Sequence, residues 1–284
     1  MTHLLTIRFT YIFLFLSFTL FSQTDKTRYT SSNKGKFFIS WGGNRDSYSK
    51  SDIRFKGEDY DFTIKDATAK DKPKGWHVDY INPARMTIPQ TNFKLGYFIS
   101  DNYTVSFSID HMKYVMTRNR NRRVNGYINL PEEEPGSIDN GVFNNENKII
   151  SEDLVIFEHT NGLNYIHVEF ARHDDISSIF NIQNTDTFQI NITEGIGTGV
   201  LYPKTNTTLL QKERYDEFHV SGYGISANVG LNLTFFKHFF VQLDAKGGYI
   251  NMNDIRTTSN SSEHAEQSFF FFQRIISFGG IFRL

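Results

Sequence analysis

His167 and Glu169 stand two residues apart in the run LNYIHVEFAR, and Ser108 and Asp110 stand two apart in NYTVSFSIDHMKYVM. A histidine, a carboxylate and a hydroxyl are the ingredients of ester hydrolysis or acyl transfer, in which the imidazole takes a proton from the attacking oxygen. No motif in the chain fixes such a geometry, and nine histidines among 284 residues bring these types together readily. A second reading joins Lys94, Asp244 and Lys246 to Asp110, His167 and Glu169 as a buried set of charges that satisfy one another. Without His167 that set holds two positive and three negative side chains, and protonated His167 would balance it. Arg118, Arg120, Arg122 and Arg123 form a basic run ahead of the acidic Glu132–Glu134. Arginine suits bidentate contacts to phosphate, so these four read either as lipid-headgroup contacts or as members of salt bridges within their loop. Gly195, Gly197 and Gly199 have neither the spacing of a nucleotide-binding loop nor a helix after them, and are read as packing. Asp52, Glu58, Asp59, Asp61 and Asp66 are dense enough to suggest Ca²⁺, yet the EF-hand spacing is absent and Lys50, Arg54, Lys56 and Lys65 neutralise them. No metal or cofactor is expected.

The elements that hold these residues are strands. In Asn102–Met116, Tyr103, Val105, Phe107 and Ile109 alternate with Thr104, Ser106, Ser108 and Asp110. A period of two cannot stay on one side of a helix. The same spacing recurs at 36–45, 92–101, 163–172, 188–200, 218–234, 239–252 and 268–284, which makes eight runs. Each is close to, or longer than, the roughly 9–11 residues that a tilted strand needs to cross a bilayer. Connections alternate as well. Turns at 101–102 and 236–238 are short, 173–187 is moderate, and 46–91, 117–162, 201–217 and 253–267 are long and polar. Short turns at one end and long loops at the other predict an all-β, transmembrane, antiparallel up-and-down β-barrel of eight strands, with the long loops extracellular. A segment at 59–67 reads as a strand extending above the membrane or as a hairpin arm. Ten strands, with a further crossing at 149–157, is the alternative. A soluble sandwich or lipocalin-like barrel would bury the faces rich in Gly, Ser, Asn and Thr and wet the faces rich in Phe, Val and Ile, which counts against it. The same parity sends Lys94, Ser108, Asp110, His167, Glu169, Asn191, Asn228, Gln242, Asp244 and Lys246 to the interior.

Composition narrows the classes further. Thirty Lys+Arg against 31 Asp+Glu leave no basic surface for nucleic acid. With no cysteine, disulfides, thiolate metal sites, thiol catalysis and lipid attachment through cysteine are excluded. Aromatic residues reach 15% while the mean hydropathy is only -0.41, as expected of apolar residues alternating with polar ones. Residues 1–22 have Arg8 before an uncharged run, Phe9–Phe21, and a small residue, Ser22, before Gln23. That run fits a signal peptide and is short for a spanning helix, which needs about 20 residues; an uncleaved anchor is the competing reading. The domains expected are a signal peptide at 1–22, a periplasmic segment at 23–35 and a barrel at 36–284.

In its barrel region, 36–284, the chain resembles small outer-membrane β-barrels of the OmpA/OmpX kind, and its style looks like that of a Bacteroidota protein. The C-terminal strand carries the most specific part of the likeness. Such barrels finish on outward aromatics and a terminal Phe read by the barrel-assembly machinery; here Phe278, Phe282 and Leu284 share one face and the last residue is Leu. The resemblance implies an outer-membrane monomer in contact with lipopolysaccharide and other outer-membrane lipids. Three roles stay open: a structural or surface-interaction barrel, an enzyme modifying lipid A or another envelope lipid, or a narrow pore for small solutes.

Overall fold

The computed structural model describes residues 32–73 and 90–284. The expected signal peptide at 1–22 and most of the 23–35 segment lie outside the described residues. Fourteen strands form in chain order. The first seven are β1 (Phe37–Tyr48), β2 (Ser51–Lys56), β3 (Tyr60–Ala67), β4 (Ala69–Lys70), β5 (Thr91–Phe98), β6 (Tyr103–Met116) and β7 (Asn121–Ile128). The others are β8 (Gly141–Ile149), β9 (Val155–Asp175), β10 (Phe188–Leu201), β11 (Asn206–Leu209), β12 (Gly222–Phe235), β13 (Phe239–Arg256) and β14 (His264–Phe282). No α-helix occurs among the described residues.

Eight strands close a ring in the order β1–β5–β6–β9–β10–β12–β13–β14, and β14 pairs back onto β1. Each coincides with one of the eight alternating runs. The ten-strand alternative does not form, because Ile149 ends β8 and Val155–Phe157 open β9 after a turn. One row of cross-strand partners runs once around the ring through Phe282, Phe37, Tyr97, Val105, Phe170, Ile196, Ala227, Gly247 and Phe272. It leaves β14 at Phe282 and returns to it at Phe272, a stagger of ten residues. Stagger and strand number together set the tilt, about 40° here. None of the nine residues in that row is charged, and all lie on the outside.

Polarity changes along the barrel axis. On β14, Phe270, Phe272, Ile276 and Phe278 point outward and are exposed, while Gln273 and Ser277 are buried inside. Towards its other end the pattern inverts: Ala265, Phe269 and Phe271 are buried inside, and Glu266 and Ser268 face out. The first arrangement suits lipid outside and the second suits water outside. This upper part belongs to the long loops. Beyond β1, Ser49 donates its N–H to Phe270 O at 2.9 Å, so that β2 continues along the same neighbour, β14. From there the sheet extends through β3 and β7 to β8. β4 adds to β6, and β11 to β9. The segment expected at 59–67 is therefore β3, an arm of this layer. Under it lies an apolar core that includes Phe55, Phe62, Tyr114, Phe157, Leu163 and Phe269. A smaller cluster, Phe38, Phe98, Phe240 and Ile281, closes the short-turn end.

Two histidines differ from expectation. His159 and His173, which fall in the connections on either side of the run 163–172, both lie within β9. The strand outruns its alternating stretch because it keeps partners beyond it, β11 and β6 above and β10 below. His159 is buried, with Nδ1 2.9 Å from Thr205 Oγ1.

The β2–β3 arm carries a pH-dependent contact. Arg54 donates to both oxygens of Asp61, at 2.8 and 2.7 Å, and this fork holds the Asp61 carboxyl below its ordinary value. A lowered carboxyl contributes stability above its unfolded value, about 3.9, and loses it as pH falls through the folded value. The pair is partly exposed, so the loss should not exceed about 1 kcal/mol. Hydrogen exchange at Phe55 and Phe62, corrected for intrinsic rates, should quicken below pH 4 in the wild type and lose that dependence in Asp61→Asn. An unchanged pH dependence in the variant would refute the assignment.

Candidate functional site

Strand parity places Lys94 on β5, Asp110 on β6, His167 and Glu169 on β9, and Lys246 on β13 inside the ring, and the closed ring brings them together. Lys94 Nζ donates to Glu169 Oε1 at 2.5 Å, and Lys246 Nζ donates to Asp110 Oδ2 at 2.8 Å. Lys246 Nζ also lies 3.8 Å from Glu169 Oε2 and 3.3 Å from His167 Nε2. An ammonium has only donors, so His167 Nε2 must accept, which leaves Nδ1 as the ring N–H. That N–H faces Tyr165 O at 3.3 Å. His167 is thus a neutral spacer, flat against the Tyr165 ring at a centroid distance of 4.2 Å and an interplanar angle of 5°. Two lysines then face two carboxylates, and the layer balances without it.

Small residues let this layer form. Gly197 and Gly199 on β10 are the register partners of Glu169 and His167. A Cβ on Gly197 would come within 2.9 Å of His167 Cδ2, and one on Gly199 would collide with Ile166 O and His167 Cα. These glycines are room for the imidazole, as the sequence reading expects of them.

Asp244 stands apart. Its Oδ1 accepts from Gln242 Nε2 at 2.7 Å, and no lysine among the described residues comes within ion-pair distance. It sits one inward position below Lys246 on β13, facing the short-turn half of the interior. There Gln242 also donates to Thr193 Oγ1 at 2.8 Å and Asn232 donates to Gln242 Oε1 at 2.8 Å. A cavity of about 50 Å³ lies between these amides and the Phe38–Phe98–Phe240–Ile281 cluster, with Lys94 and Asp244 among its lining.

Sequence reasoning missed the upper half of the network. Asn92 donates to Asp110 Oδ1 at 2.6 Å, and Asn44 donates to Asn92 Oδ1 at 2.8 Å. Gln90 Nε2 spans Asn44, Asp46 and Asp71 at 3.1, 2.9 and 2.7 Å. The signal was there, since Asn44 and Asp46 share the inward parity of Ser40 once β1 is carried past Arg45.

The geometry is that of ion pairing. Ser108 Oγ has no hydrogen-bond partner, although Ser108 is the register partner of His167, and both imidazole nitrogens face other groups. A serine nucleophile needs its hydroxyl on the imidazole. Nor do any three His, Cys, Asp or Glu side chains among the described residues gather as a metal site. The four arginines lie above the ring. Arg118 reaches Glu152 at 3.0 Å and Glu158 at 3.9 Å, Arg123 reaches Asp66 at 3.0 Å, and Arg122 donates to Thr68 Oγ1 at 2.7 Å. Arg120 is exposed.

A closed ring of eight tilted strands, apolar outside and polar within over the membrane-crossing part, defines an eight-stranded transmembrane β-barrel, the architecture of outer-membrane barrels. No protein-family model matches the chain, and no curated protein matches it. Among solved structures it is similar to Ail, the attachment invasion locus protein of Yersinia pestis, at 13% identity and a TM-score of 0.33, over 88% of this chain and 99% of that one. It is also similar to the outer membrane protein OprG from Pseudomonas aeruginosa, at 11% identity and a TM-score of 0.34, over 89% and 98%. The outer membrane protease OmpT from Escherichia coli matches at 10% identity and a TM-score of 0.36, over 89% and 99%. Likenesses this distant carry no inference about this chain, whose class rests on its own ring closure and polarity.

Proposed function

We propose that the protein is an integral outer-membrane protein with a non-catalytic surface role, in which the barrel anchors and orients the β-layer above it and that layer meets a partner outside the cell. The closed interior carries the reading. An apolar cluster fills the short-turn end, an apolar core fills the other, and paired charges occupy the space between. A pore needs a continuous polar opening, and a lipid-modifying site needs its nucleophile open to a leaflet; buried Ser108 and His167 meet neither need. The layer itself supports partner binding. Ile138 and Val142, next to the β7–β8 hairpin tip, are 83% and 81% exposed, and β8 is a sheet edge among the described residues. Arg118, Arg122 and Arg123 are engaged within the chain, which leaves Arg120 for a lipid headgroup phosphate. Export by the N-terminal segment, insertion by the barrel-assembly machinery and a monomeric state belong to the same reading.

Fractionation should recover the chain with the outer membrane, and the purified protein in planar bilayers should produce no conductance steps. Discrete, reproducible steps would overturn the closed-barrel role in favour of a pore. Recovery as a soluble periplasmic protein would overturn the location.

A further inference from the structure

Two arginines stand side by side on the outside of the barrel. Arg45 on β1 and Arg274 on β14 are direct cross-strand partners, and both are exposed. Like charges placed directly opposite one another in a sheet repel. Their outward neighbours among the described residues offer no compensation: Trp41, Gly43 and Ser47 on β1, Phe272 and Ile276 on β14, Ala245 and Gly247 on β13. Among the described residues Arg45 reaches only the carbonyl of Asn44, at 2.7 Å, and neither guanidinium has a carboxylate partner. Another outward arginine of the ring is treated differently. Arg172, nearer the short-turn end, faces Glu194 across β9–β10 and holds Asp174 at 2.9 Å.

Height and surroundings give the unmatched pair a meaning. Arg274 lies eight residues above Phe282 on its strand, and Arg45 eight above Phe37. For strands tilted by about 40° that is roughly 20 Å along the axis, in the outer third of an apolar band about 25 Å tall. From there a long arginine stem can carry its charge up to the headgroup region. Phe270, Phe272 and Tyr249 flank the pair above, and Trp41 and Phe278 below. Beside it the wall is low. On β13, beside Arg274, a Cβ on Gly247 would meet only Phe271 O among the described residues, at 3.9 Å. Two guanidinium forks with no carboxylate partner among the described residues, beside a low wall at Ala245 and Gly247 on β13, match a phosphate that carries hydrocarbon chains.

We propose that Arg45 and Arg274 bind the phosphate of an outer-leaflet lipid whose acyl chains lie over Ala245 and Gly247. The proposal rests on the reading of the protein as an outer-membrane barrel. It concerns a site on the barrel wall, separate from the arginines of the upper layer.

Native mass spectrometry of the full barrel in non-ionic detergent tests it, with diphosphorylated and dephosphorylated lipid A as the probes and heat-dependent gel mobility as the check on folding. The wild type should bind the diphosphorylated lipid at least tenfold more tightly than the dephosphorylated one. Arg45→Gln with Arg274→Gln should abolish that preference while the barrel stays folded. Arg45→Lys with Arg274→Lys should keep part of it. Equal binding of the two lipids by the wild type, or an undiminished preference in the double glutamine variant, would overturn the site. So would a wild-type dimer that the glutamine variant loses, since a second copy would then be the occupant. Failure of the underlying reading would register separately, as a chain that fractionates away from the outer membrane.

Discussion

Lys246→Met should be among the most destabilising single substitutions in the barrel. Lys246 is fully buried and is the cation that Asp110 Oδ2 meets at 2.8 Å, with Glu169 Oε2 at 3.8 Å. Its removal leaves Asp110 with Asn92 alone as a donor, while Lys94 continues to serve Glu169. Stranding one member of a buried pair typically costs about 3–5 kcal/mol, because the remaining charge can neither leave nor find water. Urea unfolding of the folded barrel in micelles should show this loss, with a matching fall in the temperature of the heat-dependent gel shift. Lys246→Met combined with Asp110→Leu removes both charges and should cost far less than Lys246→Met alone. If the single and double variants were equally unstable, the contribution of Lys246 would be packing and the electrostatic account would be wrong.

Phe157→Ala should produce a loss of similar size in a different place. Phe157 is fully buried above the ring, with its ring edge-on to Phe55 at a centroid distance of 5.5 Å and an interplanar angle of 87°. Truncating a buried phenylalanine costs about 3–5 kcal/mol through lost burial and the cavity left behind. Because Phe157 joins β9 to the β2–β3 arm, the loss should fall on the upper layer. Limited proteolysis should then cut within 49–67 or 129–140, while the ring keeps its heat-dependent mobility. Phe170→Ala, on the lipid-facing side of the same strand, should leave protease resistance unchanged. Collapse of the ring in parallel with the layer would mean that the two do not unfold separately.

The eight crossing strands were legible because lipid outside and polar groups inside force a period of two, and each ring strand from β1 to β14 carries it. The same parity puts Lys94, Asp110, His167, Glu169 and Lys246 on the inner face, and the closed ring brings them together. It could not place Asp244, since parity gives the face of a strand and leaves the height of a residue relative to its partners open. Height depends on the stagger, which emerges only when the ring closes. Parity also fails where a strand bulges. Between Met112 and Tyr114 the β6–β9 register shifts, so consecutive residues 111–114 are all buried. The upper layer was hard to read for a further reason. There the apolar side turns inward, as in a water-soluble sheet, and β8, GVFNNENKI, is too polar and exposed to show any face. Phe38, Phe98, Phe240 and Ile281 carry no such signal, because apolar residues at inward positions run against the alternation that marks the crossing strands; they lie at the short-turn end and close it.

The neighbourhood of β14 has a consequence for the order of assembly. Its pairing with β1 and then β2 is a single seam that runs from Phe282 to His264, and it joins segments from the two ends of the barrel sequence. Contacts of such sequence separation form late, since the chain between them must first be gathered. The β2–β3–β7–β8 sheet is attached to the ring's hydrogen bonding through that seam. A barrel arrested before β14 docks would leave β1 and β13 as open edges and would deprive the outer sheet of its support. An intact outer sheet therefore reports that the last strand has been sewn in, and any partner that reads this sheet would engage finished barrels and pass over incomplete ones.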